Sequence, residues 1–127
     1  MASEKLKAED VRDCHVQMSV NDYSARASET AVYPEELGLL YCALGLCAEA
    51  GEAAEFVKKS VRDAGKGGEL KGKRRMDLIK ELGDVALYWS QLCMEVGISP
   101  AAVLYFNLQK LAKRKEDGTI HGHGNDR

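Results

Sequence analysis

Two short segments share one form: Glu49-Ala50-Gly51-Glu52 and Glu81-Leu82-Gly83-Asp84. Each is an acid, an apolar residue, a glycine and a second acid, set in apolar surroundings. On a helix, acids three positions apart lie on one face, a turn from each other. The same faces carry Gly45 and Phe56 near the first pair, and Asp77 and Tyr88 near the second. Surface acids normally alternate with lysines. These are flanked by Leu, Ala, Cys, Val and Trp89, which directs the carboxylates inward or into a cleft. A glycine in a helix interior costs about 0.8–1 kcal/mol relative to alanine. Gly51 and Gly83, at matching places, therefore need a reason, and close approach of a backbone or ligand is the simplest. Packed antiparallel, the two helices bring Glu49, Glu52, Glu81 and Asp84 together. Carboxylates that close hold their protons more tightly, and a divalent cation relieves the repulsion. All-oxygen ligation with open positions suits Mg2+ or Mn2+ better than zinc. Magnesium in such sites keeps waters and meets substrate phosphates.

Cations stand elsewhere in the chain. Asn107, Lys110 and Arg114 recur at i, i+3 and i+7 and share a face, with Leu104, Leu108 and Leu111 beside it. Lys58, Lys59 and Arg62 form a second basic group after the first acidic pair. Lysine and arginine next to a carboxylate site suit phosphate recognition. Metal and phosphate-binding cations together imply displacement at phosphorus by a metal-acidified water, with a carboxylate taking its proton. Glu49 and Glu52 are candidates for this chemistry. Glu55, one more i+3 step along, is either the proton acceptor or a surface residue.

The elements that must hold these groups are helical. Asn21 and Asp22 cap a helix through Ala31, which Tyr33-Pro34-Glu35 ends. Glu36 to about Arg62 forms a long helix. Its first half, from Leu37 to Ala48, carries no charge and reads as central. Its basic end suits a helix C-terminus. Asp63 to Lys73 is a glycine-rich loop, in which Gly65–Gly72 is placed to act as a lid. A third helix runs from about Arg74 to Val96 and stops at Gly97. Ser99-Pro100 restarts the chain, and a fourth helix spans Pro100 to about Glu116. Residues 118–127 form a polar tail, and residues 1–20 an N-terminal extension.

The 127 residues fit one domain. Two prolines, 6% aromatics and abundant Ala, Leu, Glu and Lys favour an all-α fold over a sandwich or barrel. A net charge of −2 gives no bulk attraction to nucleic acid. No uninterrupted apolar run reaches the length of a membrane span, so none is expected. The charged start has no apolar signal core, which leads us to expect a cytoplasmic protein. Cys14, Cys42, Cys47 and Cys93 contain no C-x-x-C pair and read as buried free thiols in a reducing compartment. A di-iron bundle needs Glu-x-x-His on two helices. His15, His121 and His123 fall outside the expected helices, which disfavours that reading.

Ala48-Glu49-Ala50-Gly51-Glu52, Glu81-Leu82-Gly83-Asp84 and Asn107-Leu108-Gln109-Lys110-Leu111-Ala112-Lys113-Arg114 together resemble the MazG-like all-α nucleoside triphosphate pyrophosphohydrolases. The tail from Gly118 to Arg127 resembles the G-x-x-x-G-x-G-D-N-R ending of small phage and bacterial members. The resemblance covers residues 21–127. It implies a four-helix core that assembles into a homodimer or homotetramer with sites near subunit interfaces. It also implies hydrolysis of a (deoxy)nucleoside triphosphate to monophosphate and pyrophosphate, in dNTP-pool work with dGTP or GTP foremost. Two or more Mg2+ ions would be held by Glu49, Glu52, Glu81 and Asp84. Asn107, Lys110 and Arg114 would contact substrate, with Lys59 and Arg62 near the same cleft. A phage member would act in the host cytoplasm. The sequence departs from the stricter pattern at Ala48, where a first glutamate would stand, and at Asn125-Asp126, where the family has Asp-Asn. A non-catalytic helical nucleotide-binding or interaction protein of the same fold is the alternative.

Overall fold

A computed structural model describes residues 17–64 and 70–124. It holds four α-helices, and no strand among the described residues: α1 (Val20–Ser28), α2 (Gly38–Ala64), α3 (Gly72–Val96) and α4 (Pro100–Glu116). A 3-10 turn, Glu35–Leu37, leads into α2. The expected loop between α2 and α3 falls partly on residues 65–69, outside the described residues. So do the N-terminal extension up to residue 16 and the last three residues of the tail.

Most helix ends follow local chemistry. Ser99 caps α4, its Oγ accepting from Ala102 N at 3.3 Å, and Pro100 fills the first helical position. α3 closes at Gly97, whose φ of 84° a side-chain-bearing residue rarely adopts. The α1 cap differs from expectation. Ser19, not Asn21 or Asp22, is the N-cap. Its hydroxyl accepts from Asp22 N at 3.1 Å, the usual N-cap bond, and donates to Asp22 Oδ2 at 2.6 Å. Asn21 caps a different helix: its Oδ1 accepts from Ala101 N at 3.0 Å, which ties α1 to the start of α4.

The central unit is the antiparallel pair α2 and α3; α1 lies against α3 and α4, and α2 does not touch α4. Tyr33 and Glu95 brace one end of the pair. The Tyr33 hydroxyl donates to Glu95 Oε1 at 2.8 Å. The Glu95 carboxylate fills the space where a side chain at Gly38 would stand. An anion there also meets the positive end of the α2 dipole.

The apolar core of one chain is small. Among the described residues, its buried hydrophobics are Cys42, Ala53 and Cys93. Cys47 is exposed, so the expectation of buried thiols holds for Cys42 and Cys93 only. Leu39, Leu40 and Leu44 on α2 and Leu104, Phe106 and Leu108 on α4 are bare. The segment Glu35–Ala64 is long and apolar enough, on length and composition alone, to cross a membrane, and only 17% of its apolar window is buried. The run-length expectation missed this because Glu49 and Glu52 interrupt the apolar sequence without ending the helix.

Candidate active site

Glu49 and Glu52 stand one turn apart on α2, and Glu81 faces them from α3. One carboxylate oxygen of each lies within 4.8 Å of the others. Glu49 and Glu81 are half-buried and Glu52 is exposed. Asp84 stands near but outside this close triad. Its charge still reaches Glu49, whose carboxyl is raised above the ordinary value first by burial, then by Glu52, Asp84 and Glu81. Three of the four acids therefore converge across the helix pair, and Asp84, expected among them, stands outside the triad.

Tyr23 joins α1 to this region. Its hydroxyl donates a long hydrogen bond to the Gly83 carbonyl at 3.4 Å. Burial, and then the nearby Asp84 charge, raise the phenol's pKa. Sequence reading did not single out Tyr23, because nothing in the spacing of α1 shows which helix it packs against.

The glycines beside the acids behave differently from expectation. A side-chain carbon added at Gly51 or Gly83 would meet no protein atom within 4 Å. Close approach by this chain's own backbone is therefore not their reason. The tight approach occurs one turn before Glu49, at Gly45, where the Tyr88 ring takes the side-chain space. Gly45 and Tyr88 were both legible on the acid-bearing faces, but their pairing needed the interhelical register.

The remaining candidate residues are not gathered round the triad. Glu55 is paired with Lys59 at 3.2 Å and with Lys58 at 3.8 Å, and Lys59 holds its carboxyl below the ordinary value. Arg62 binds Asp63 at 2.7 Å, and Arg74 approaches the same carboxylate at 3.5 Å. Asn107 and Lys110 are exposed on α4, which is out of contact with α2. Arg114 donates to the Gly124 carbonyl at 3.1 Å and holds the tail against α4. Within one chain, then, the α4 cations do not flank the carboxylates as expected.

A cavity of about 150 Å3 opens on the Tyr88 side of the site. Tyr33, Tyr41, Leu87, Tyr88 and Gln91 line it, with the 30–32 connection. Tyr33 and Tyr41 stack with centroids 5.2 Å apart, and Tyr41 and Tyr88 meet at 6.2 Å. No α4 residue lines this cavity.

The triad fits a hard divalent cation. Three carboxylates converge, no cationic side chain is paired with any of them among the described residues, and their crowding is what a 2+ charge relieves. The model of the MazG nucleotide pyrophosphohydrolase domain matches residues 39–119. This chain belongs to the MazG family. The matched span of this MazG domain contains all four acids and the α4 residues Asn107, Lys110 and Arg114. The chain is also 42% identical over 116 residues to the gene 37 protein of Mycobacterium phage L5, across 87% of this chain and all of that protein. No solved structure matches it. The MazG family is metal-dependent, and this MazG domain carries an acidic cluster at Glu49, Glu52 and Glu81.

Proposed function

We propose that this chain is a Mg2+- or Mn2+-dependent pyrophosphohydrolase that converts a (deoxy)nucleoside triphosphate to the monophosphate and pyrophosphate. The observation that carries this reading is the convergence of Glu49, Glu52 and Glu81 across the α2–α3 interface within a MazG domain. Glu49, Glu52, Glu81 and Asp84 hold the ions. When bound, divalent cations polarise phosphoryl oxygens and lower the pKa of water. The half-buried Glu49 and Glu81 fix the site. The exposed Glu52 stands at the water-facing edge of the site. Glu55, held low by Lys59 and Lys58, is a poor base. Its place is to orient Lys59, with Arg62 beyond it, toward the polyphosphate.

Assembly completes the site. Asn107, Lys110 and Arg114 reach the acids of α2 from a second copy, since α4 and α2 of one chain are apart. The bare leucines of α2 and α4 are the surface that such a homodimer or homotetramer buries. A lipid bilayer is a poor match for α2, whose second half carries Glu49, Glu52, Glu55, Lys58, Lys59 and Arg62.

The substrate works in the cytoplasmic nucleotide pool, and dGTP is the first to assay. Incubation with each dNTP and Mg2+ is expected to release monophosphate and pyrophosphate in equal amounts. Binding without release would select the non-catalytic alternative. Turnover surviving excess chelator would reject the metal-dependent mechanism.

A further inference from the structure

Asp84 is the expected ligand left outside the close triad, and it is exposed. No hydrogen bond or ion pair holds its carboxylate among the described residues. Its charge reaches Glu49 on one side and Tyr23 on the other. A carboxylate that turns freely loses that freedom when it ligates an ion. A partner that fixes its orientation beforehand removes part of this cost.

α1 brings a polar group to this turn of α3. The half-buried Tyr23 donates to the carbonyl of Gly83, the residue before Asp84, at 3.4 Å. That bond is long, and a mid-helix carbonyl already accepts an N–H from its own helix. A phenylalanine would fill the same space, so packing alone does not call for the hydroxyl. A partly buried O–H with one poor acceptor is costly unless a better one completes it. Asp84 lies close enough for its charge to act on the phenol, and an ionised carboxylate is the stronger acceptor.

The phenol is held in place from both directions. Asn21 Oδ1 accepts from Ala101 N of α4 at 3.0 Å, and the buried Gln91 of α3 donates to the Ser24 carbonyl at 3.4 Å. These residues flank Tyr23 on α1. They tie the helix to α4 and to α3, and so fix where its hydroxyl stands.

We propose that Tyr23 is a positioning residue for the metal centre, its hydroxyl holding the Asp84 carboxylate toward Glu49, Glu52 and Glu81. This rests on the metal-dependent reading given above and adds a residue from outside the α2–α3 pair. The donor passes from the carbonyl of residue 83 to the carboxylate of residue 84. Carboxylates that ligate ions are themselves hydrogen-bonded, and losing such a partner weakens metal binding about 10–100-fold. α1 is then part of the site, although it carries none of its acids.

The test uses the full chain with Mn2+ as the probe, the free ion being read by electron paramagnetic resonance. Tyr23→Phe keeps the ring and the circular dichroism of the wild type, and weakens Mn2+ binding by about tenfold. Asp84→Ala removes the acceptor but leaves the triad, so its weaker binding stays measurable. In that background Tyr23→Phe has no further effect, because the two residues act as a unit. A folded Tyr23→Phe protein that binds Mn2+ as the wild type does overturns the proposal. So does an equal loss in both backgrounds, which would make Tyr23 a packing residue. A second readout needs no variant. The Tyr23 ring carbon that bears the hydroxyl shifts in the wild-type NMR spectrum as Mg2+ saturates the site. An unmoved signal overturns the proposal even if Tyr23→Phe fails to fold. Absence of Mn2+ binding by the wild type removes the metal reading and this inference with it, whereas binding that ignores Tyr23 removes the inference alone.

Discussion

The ring of Tyr88 occupies the space in which a side chain at Gly45 would sit, and this contact sets the register of α2 against α3. The register places Glu81 opposite Glu49 and Glu52. Gly45→Ala forces the ring to shift and opens the pair. The expected cost is about 1–3 kcal/mol, as for overpacking elsewhere, read as a lower denaturation midpoint. Turnover should fall with it, because the acids lose alignment. A Gly45→Ala protein of unchanged stability would show that the contact does not hold the helices.

Gly51 and Gly83 predict the opposite sign. Space is open at both positions in one chain, so Gly51→Ala and Gly83→Ala should each stabilise the isolated chain by about 0.5–1 kcal/mol through helix propensity. If the space serves ligand or a second copy, each variant should lose turnover despite its higher melting temperature. More stable variants with full activity would mean that the glycines serve no approach at all.

Stability should also depend on pH through Glu49. Its carboxyl titrates above the ordinary 4.5 in the folded chain, so the fold binds that proton more tightly than the unfolded chain does. The resulting stabilisation is complete below 4.5 and is lost as pH rises through the raised folded value. Metal-free protein should therefore show a melting temperature that declines across this range. Mg2+ at neutral pH should restore it, by about 2.7 kcal/mol at a hundredfold excess over its Kd. Thermal melts with and without chelator read both effects. A Mg2+-independent melting temperature would contradict the site.

The separation of α4 from α2 predicts complementation between chains. Glu81→Gln and Lys110→Ala proteins, each weak alone, should recover activity when mixed and allowed to exchange subunits. Each mixed assembly then holds a site with both native residues. Leu108→Glu, on the bare α4 face, should shift the protein to monomer in sedimentation. No recovery on mixing would place Lys110 outside the partner's site.

The helices were largely legible in the sequence because their ends carry strong local chemistry: Ser99-Pro100, Gly97 and the break at Pro34. Where two polar residues competed for one role, local reading chose wrongly. Ser19 took the α1 cap, and Asn21 was drawn to α4 instead. The acid triad was legible because a three-residue spacing fixes a helix face whatever the packing. The cavity was not. Tyr33, Tyr41, Tyr88 and Gln91 come from three separate stretches of chain, and only the α2–α3 register, set at Gly45, brings them together. The position of α4 was also hidden, since an amphipathic face does not say whether its partner is the same chain or another.

The most direct test of the account is pyrophosphate release from dNTPs by wild-type protein and by Glu81→Gln, with matched far-ultraviolet circular dichroism. Mg2+-dependent release by the wild type is expected, and its loss in Glu81→Gln with helicity intact. Full turnover in Glu81→Gln would remove Glu81 from the site and contradict the three-carboxylate centre on which the reading stands.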